Sequence, residues 1–306
     1  MSALSGHVED YLRLRRALGY KLERAGHLLP KLVAYLEAAG SPTITSELAI
    51  SWARLPAHAR PNHWAARLAV ARSFARYMQT IEPATEVPPM GVFPARRHRP
   101  APYLWSQQDI DRLLDGARTL PLPLRAATYE ALFGLLAVSG MRVGEAAGLD
   151  RDDVELQTGV VTIREAKFER TRLVPLHDTT TAVLRAYAAE RDRLCPKPRS
   201  VAFFVSSTGT RLNRSGIAKT LRTITTAMGL RNDTLRPTAH QLRHSFAVRT
   251  LIDWQRSGVS VDEHIATLST YLGHIAPADT YWYLSASPEL MGLAAERLDT
   301  RFGEGQ

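Results

Sequence analysis

Cysteine is nearly absent. Cys195 stands alone in 306 residues, which excludes a disulfide within the chain and fits a reducing compartment. Long apolar runs are lacking as well: the longest, Ala131 to Val138, falls far short of the ~20 residues a membrane-crossing helix needs. No membrane partner is therefore expected. The N-terminus has no apolar signal-peptide core, because Asp10, Arg13, Arg15 and Arg16 interrupt it early. These absences lead to the expectation of a cytoplasmic protein. Internal repeats and low-complexity segments are not seen either. What remains, 45% hydrophobic and 23% charged residues, is ordinary for a globular chain long enough for two domains, each with its own core.

Positive charge is in excess. The formal net charge is +9 and the pI about 9.9, which favours a polyanionic partner. The excess is uneven. Residues 1 to 104 hold 14 Lys+Arg against 7 Asp+Glu, a net of +7, whereas the rest hold 25 against 23, a net of +2. Much of any grip on a phosphate backbone is thus expected from the N-terminal third.

That third reads as helices. Val8, Tyr11, Leu12, Leu14 and Leu18 recur at helical spacing, as do Leu28, Leu29, Leu32, Val33 and Leu36. A third helix is expected over Ser46 to Leu55 and a fourth over Asn62 to Gln79. The fourth shows Arg67, Arg72 and Arg76 on one side, suited to a phosphate backbone or simply to water. Residues 82 to 104 carry six prolines and the basic cluster Arg96, Arg97, His98 and Arg99. Proline at this density predicts an extended linker, whose stretch 99–104 separates a domain of residues 1–98 from one of residues 105–306. Beyond it, Ser106 is the expected N-cap of a helix through Gly116, and a second helix runs from Leu124 to Ser139. Three short strands follow at Val154–Leu156, Val160–Ile163 and Arg172–Val174, with Thr158-Gly159 as the first turn. Helices are expected again over about 179–193, 214–228, 238–256 and 261–270. The fold class is mainly α with a small antiparallel sheet.

Four local patterns in the second domain carry potential chemistry. They are Gly140-Met141-Arg142-Val143-Gly144-Glu145, then Lys167 between two strands, then His240-Gln241-Leu242-Arg243-His244, and Leu272-Gly273-His274 with Tyr283 nine residues beyond. Each has an innocent reading alone. Arg142 suits a helix start, Lys167 a hairpin loop, and Tyr283 a packing role beside Tyr281 and Trp282. His240 and His244, at i and i+4, would suit a metal. The zinc-protease pattern, however, puts glutamate directly after the first histidine, where this chain has Gln241.

Taken together the four patterns resemble the tyrosine recombinase, or phage integrase, family. The segment Tyr11-Leu-Arg-Leu-Arg-Arg-Ala-Leu-Gly-Tyr20 resembles the start of that family's helical core-binding domain. The further N-terminal arm-binding domain of longer members is expected to be missing. The resemblance implies that residues 1–98 bind DNA and that residues 105–306 form an α+β catalytic domain. It also implies attack on a phosphodiester by a tyrosine oxygen, giving a 3′-phosphotyrosyl link.

The residue types suit that chemistry. A phenol of ordinary pKa near 10 is mostly protonated at neutral pH, so a base must help, and His240 is the first candidate. Arg142 and Arg243 offer forked, permanently charged donors to the non-bridging oxygens, with His274 adding a further donor. Lys167 can protonate the leaving 5′ oxygen. These cations stand where metal ions would, so neither a metal nor any other cofactor is expected. Glu145 is implied as a supporting carboxylate, and His244 as a packing or orienting group. Tyr281 and Trp282 would anchor the nucleophile's segment, with Tyr281 the competing nucleophile.

The expected partner is double-stranded DNA, which Arg67, Arg72, Arg76, Arg96, Arg97 and Arg99 would help to hold. Exchange of strands implies a tetramer on paired sites, with sister recombinases a further option. The stretch from Ser285 to Gln306, with Leu290, Met291, Leu293 and Leu298, reads as an amphipathic helix that docks on a neighbour or on its own domain. Two alternatives use much of the same sequence: a type IB topoisomerase or telomere-resolving enzyme, and a DNA-binding protein that no longer reacts.

Overall fold

The computed structural model describes residues 3–94, 103–164, 171–274, 278–285 and 290–292. The chain divides into two compact units, one N-terminal and one C-terminal. None of the described helices is long and apolar enough to cross a membrane.

The N-terminal unit is built from α1 (Ala3–Ala17), α2 (Glu23–Ala38), α3 (Ser46–Arg54) and α4 (Pro61–Met78). Their starts follow the expected chemistry. Thr45 caps α3 by accepting from the Leu48 amide at 3.3 Å, and Pro61 opens α4 at a position whose N–H would have no helical partner. Leu29, Leu32, Leu36, Trp52, Leu68 and Phe74 bury almost completely into one cluster. Tyr11 meets the Phe74 ring edge-on at 5.5 Å.

Two expectations fail in this unit. Residues 82–94 are not an extended linker, for they fold back onto the helices. The Glu86 amide donates to the Ile44 carbonyl at 2.8 Å, and the Glu86 carboxylate accepts from the Ser46 amide at 2.8 Å. Phe93 is buried and packs 5.8 Å from the Trp64 ring. Proline removes ladder donors, but it does not stop Val87, Val92 and Phe93 from leaving water.

The second correction concerns Arg67 and Arg72. Arg67 is only 7% exposed; its guanidinium lies 4.0 Å over the Trp52 ring and donates to the Trp52 carbonyl at 2.9 Å. It is a core residue, unavailable to a phosphate. Arg72 donates to the Pro88 carbonyl at 2.8 Å and to that of Pro89, tying down the folded-back segment. Arg76 is exposed, while Arg96, Arg97 and Arg99 lie outside the described residues.

The C-terminal unit surrounds α6 (Pro123–Ser139). Leu132, Phe133, Leu135 and Leu136 are buried in succession, as on a helix covered on all sides. Around it pack α5 (Gln107–Arg118), α8 (Asp178–Leu194) and α10 (Ala239–Arg256). Ser106 and Asp109 close a capping box at the start of α5. The short α7 (Val143–Gly148) leads to an antiparallel sheet of β1 (Val154–Glu155), β2 (Val160–Arg164) and β3 (Thr171–Pro175), in that order. Register sets Val161 opposite Val174 and Ile163 opposite Arg172. α9 (Arg214–Ala227), α11 (Val261–Leu272), α12 (Ala278–Tyr281) and a 3-10 turn (Trp282–Ser285) complete the unit. Of the stretch expected as a tail helix, Leu290, Met291 and Gly292 are described and helical; Leu293 and Leu298 lie outside the described residues.

Because Phe93 is a core residue rather than part of a linker, Phe93→Ala should destabilise the N-terminal unit by about 3 kcal/mol. Urea unfolding of the full chain measures this, and an unchanged transition would mean that residues 82–94 do not pack as described.

Candidate active site

Two helices end the same way at the centre of the C-terminal unit. α6 stops at Gly140 with φ 59° and α11 at Gly273 with φ 67°, both in the left-handed region that favours glycine. Space demands glycine too. A Cβ on Gly140 would meet Phe246 Cδ1 at 2.5 Å and Leu272 Cδ2 at 3.0 Å, and one on Gly273 would meet Arg172 Nη1 at 2.5 Å.

Arg243, on α10, joins these ends. Its Nη1 donates to the Gly140 carbonyl at 2.8 Å and its Nη2 to the Leu272 carbonyl at 2.7 Å, with the side chain only 1% exposed. Carbonyls at helix C-termini are unpaired within the helix and partly negative, so a buried guanidinium suits them. Burial, then the nearby charge of Arg142, lowers the pKa of Arg243, while the Tyr283 phenol and Glu145 pull it back up. Even so lowered, a guanidinium keeps its charge. Arg243 also hydrogen-bonds Tyr283.

Arg142 sits at the N-cap of α7 in extended backbone. Its amide donates to Glu145 Oε2 at 2.8 Å and its Nη1 to Glu145 Oε1 at 2.6 Å. Its Nη2 reaches the Gly273 carbonyl at 2.6 Å. Glu145 receives a second fork from Arg172 on β3, at 2.7 Å to Oε2 and 3.2 Å to Oε1. Burial works to raise the Glu145 pKa, but hydrogen bonds and charge from Arg172, then the contacts from Arg142, outweigh it and leave the carboxyl below its ordinary value.

The histidines and the tyrosine lie against these cations. His240 and His244 project from one face of α10, with ring centroids 4.5 Å apart. The His244 ring is 5.4 Å from that of Tyr283 and 5.2 Å from that of Trp282. His240 is exposed, yet enough protein surrounds its ring that burial, then Arg243 and Arg142, lowers its pKa. His274 stacks 6.0 Å from Tyr283, and its Nδ1 lies 2.6 Å from Thr280 Oγ1. Tyr283, in the 3-10 turn, is 2% exposed, whereas Tyr281 is 48% exposed.

Arg142, Glu145, His240, Arg243, His244, His274 and Tyr283 therefore share one region. Lys167 lies outside the described residues. His240 and His244 gain no third donor: among the described residues no three His, Cys, Asp or Glu side chains cluster to hold a metal ion.

Two side chains join the site without having been singled out in the sequence. Arg172 had a signal, since period-two alternation puts it on the same strand face as buried Val174 while Leu173 points to water. Thr280, fully buried, had only its place three residues before Tyr283.

Comparison with known proteins agrees with this arrangement. The model of the Phage integrase family matches residues 105–289. The protein y4rB of Sinorhizobium fredii, which carries the name integrase/recombinase, is 44% identical over 310 residues, covering 99% of each chain. Tyrosine recombinase XerD of Oceanobacillus iheyensis is 35% identical over 182 residues, 59% of each chain. Among solved structures, the Tn1549 transposon integrase in complex with transposon right end DNA has a TM-score of 0.67 at 13% identity, covering 98% of this chain and 99% of that one. The recombinase XerH in its post-cleavage complex with difH has a TM-score of 0.62 at 18% identity, covering 82% and 72%. With more than half of the chain matched by the family model and a relative alike from end to end, the protein belongs to the phage integrase family, the tyrosine recombinases that cleave and rejoin DNA.

Proposed function

We propose that this recombinase uses Tyr283 as its nucleophile on a phosphodiester of double-stranded DNA held by Arg142, Arg243 and His274. The observation that carries the reading is the burial of Tyr283 against Arg243, in the same region as Arg142 and three histidines. In this reading the Tyr283 oxygen bonds to phosphorus as the bond to the 5′ oxygen breaks. The phenolic proton passes to His240, and Lys167 protonates the departing 5′ oxygen. A 5′ hydroxyl of a partner strand later attacks the phosphotyrosyl link and restores a phosphodiester. Bond energy is conserved, so no nucleotide is consumed, and the guanidinium groups supply the charge that a metal would otherwise bring.

His274, positioned through the contact of its Nδ1 with Thr280 at 2.6 Å, would add a hydrogen bond to a phosphate oxygen. Glu145 orients Arg142, and the His244 ring lies between those of His240 and Tyr283. Residues 1–98 would be the DNA-binding domain, with charge rather than Arg67 or Arg72 as its recommendation. Exchange of two strands between duplexes calls for four protomers on paired sites, alone or with sister recombinases. The work would take place in the cytoplasm.

Three outcomes test these roles. Tyr283→Phe should still bind DNA but form no covalent adduct on a nicked suicide duplex, while exposed Tyr281→Phe keeps forming it. An SDS-stable adduct in the first and none in the second would reverse the assignment.

Burial, reinforced by the two arginines, should keep His240 neutral near pH 7, as a base must be. In the DNA-free protein, NMR titration should place the imidazole midpoint below the ordinary 6.5. Arg142→Ala removes a neighbouring positive charge, so it should move the midpoint up. A midpoint at or above the ordinary value in the unaltered protein would remove the electrostatic basis for the role.

Lys167→Ala should cleave a 5′-bridging phosphorothiolate far better than the normal linkage, because a thiolate leaves without needing a proton. Arg142→Ala should be slow on both, by about a hundredfold or more. An equal defect of Lys167→Ala on both substrates would mean that Lys167 only holds DNA.

A further inference from the structure

Arg172 is the most deeply engaged cation of the site that the proposed chemistry leaves without a task. Three observations converge on it. Its guanidinium forks across both oxygens of Glu145, at 2.7 and 3.2 Å. It fills the space beside Gly273, where a Cβ would come within 2.5 Å of Nη1 and 2.9 Å of Cζ. And Glu145 and the Gly273 carbonyl both hold the guanidinium of Arg142, at 2.6 Å each. Arg172 thus touches both of the residues that provide these supports.

We infer that Arg172 is a positioning residue for DNA cleavage. It sets Glu145 and the Leu272-Gly273-His274 turn so that Arg142 and His274 present their donors to the same phosphate. Its guanidinium is committed to Glu145, so its effect passes through Arg142 rather than by contact with DNA. Lysine is a poor substitute, because an ammonium cannot fork across two carboxylate oxygens in a fixed plane. The strand context supplies the rigidity: Arg172 pairs with Ile163 across the sheet and shares its face with buried Val174.

The inference rests on the reading of Arg142 as a phosphate-binding group, and the test separates the two. The full chain and its variants are assayed for single-turnover cleavage of a nicked duplex carrying the sequence that the purified protein protects. The scissile linkage is a normal phosphodiester, a 5′-bridging phosphorothiolate or a methylphosphonate. The last places less negative charge on the non-bridging positions and so asks less of Arg142.

Arg172→Met should bind DNA normally but cleave the normal linkage about tenfold to a hundredfold more slowly, the range seen when groups that orient metal ligands are removed. The defect should persist on the phosphorothiolate, unlike that of Lys167→Ala, and shrink on the methylphosphonate. Combined with Glu145→Gln it should be no slower than the slower single variant, as for residues acting in one chain of contacts. Where Arg172→Met does not fold, Arg172→Lys carries the same comparisons.

Cleavage at the unaltered rate, rescue by the phosphorothiolate, or fully additive defects with Glu145→Gln would each overturn the inference. The Arg142→Ala control tells which idea has failed. If that variant is slow while Arg172→Met is not, only the positioning role falls. If Arg142→Ala cleaves normally, the phosphate-binding reading falls and the role of Arg172 falls with it.

Discussion

Like charges brought together inside a protein repel, and the C-terminal unit is organised around that constraint. At an intermediate dielectric, two unit charges 4 Å apart repel by about 4 kcal/mol, several times the net worth of one ordinary hydrogen bond. Arg142, Arg172 and Arg243 all crowd into one region. Among the described residues the compensation comes from one largely shielded carboxylate, Glu145, and from carbonyls at the C-terminal ends of α6 and α11. Glu145 serves two arginines at once, while Arg243 takes the carbonyls of Gly140 and Leu272. Remove the carboxylate and the two guanidiniums lose the charge that both of them pair with, although water reaching Arg142 screens part of the resulting repulsion.

This solution explains why glycine recurs beside the catalytic motifs. Each left-handed cap turns a helix end so that its last carbonyls aim into the site. Gly140 offers its carbonyl to Arg243 and Gly273 offers its own to Arg142. Each is also crowded by a neighbour, Phe246 in one case and Arg172 in the other. Backbone conformation and side-chain packing therefore impose the same residue twice over. The guanidinium groups are held by helix ends rather than by long loops, which suits a site whose donors must keep fixed positions.

Much of this was legible in the sequence. Apolar spacing marked the helices, Ser106 marked the start of α5, and the Arg, His-x-x-Arg-His, Leu-Gly-His and Tyr patterns pointed to residues that do meet in space. What escaped was whatever depends on tertiary neighbours. Helical periodicity put Arg67 on a basic face, but its long side chain reaches Trp52 and buries there, as amphipathic side chains can. Proline density suggested an open linker over 82–94, since composition reports what a segment cannot form and not what it packs against. Arg172 looked like a strand residue until Glu145 stood opposite it. Thr280 gave no sign at all, because its importance lies in one contact with His274.

The field that these cations create does more than attract phosphate. Burial, then the charges of Arg243 and Arg142, lowers the pKa of His240, so the imidazole stays neutral near pH 7. Tyr283 lies in hydrogen-bond contact with Arg243, which ties the phenol to the same cluster. A metal ion would supply a comparable field, but only while bound. Guanidinium groups fixed by Glu145 and by helix ends are present at every moment of the cycle. On the proposed chemistry, one set of permanent charges thus helps to prepare the base, holds the nucleophile and receives the negative charge that develops on phosphorus. The three tasks cannot be tuned separately, which is the physical reason for so many contacts converging on Glu145.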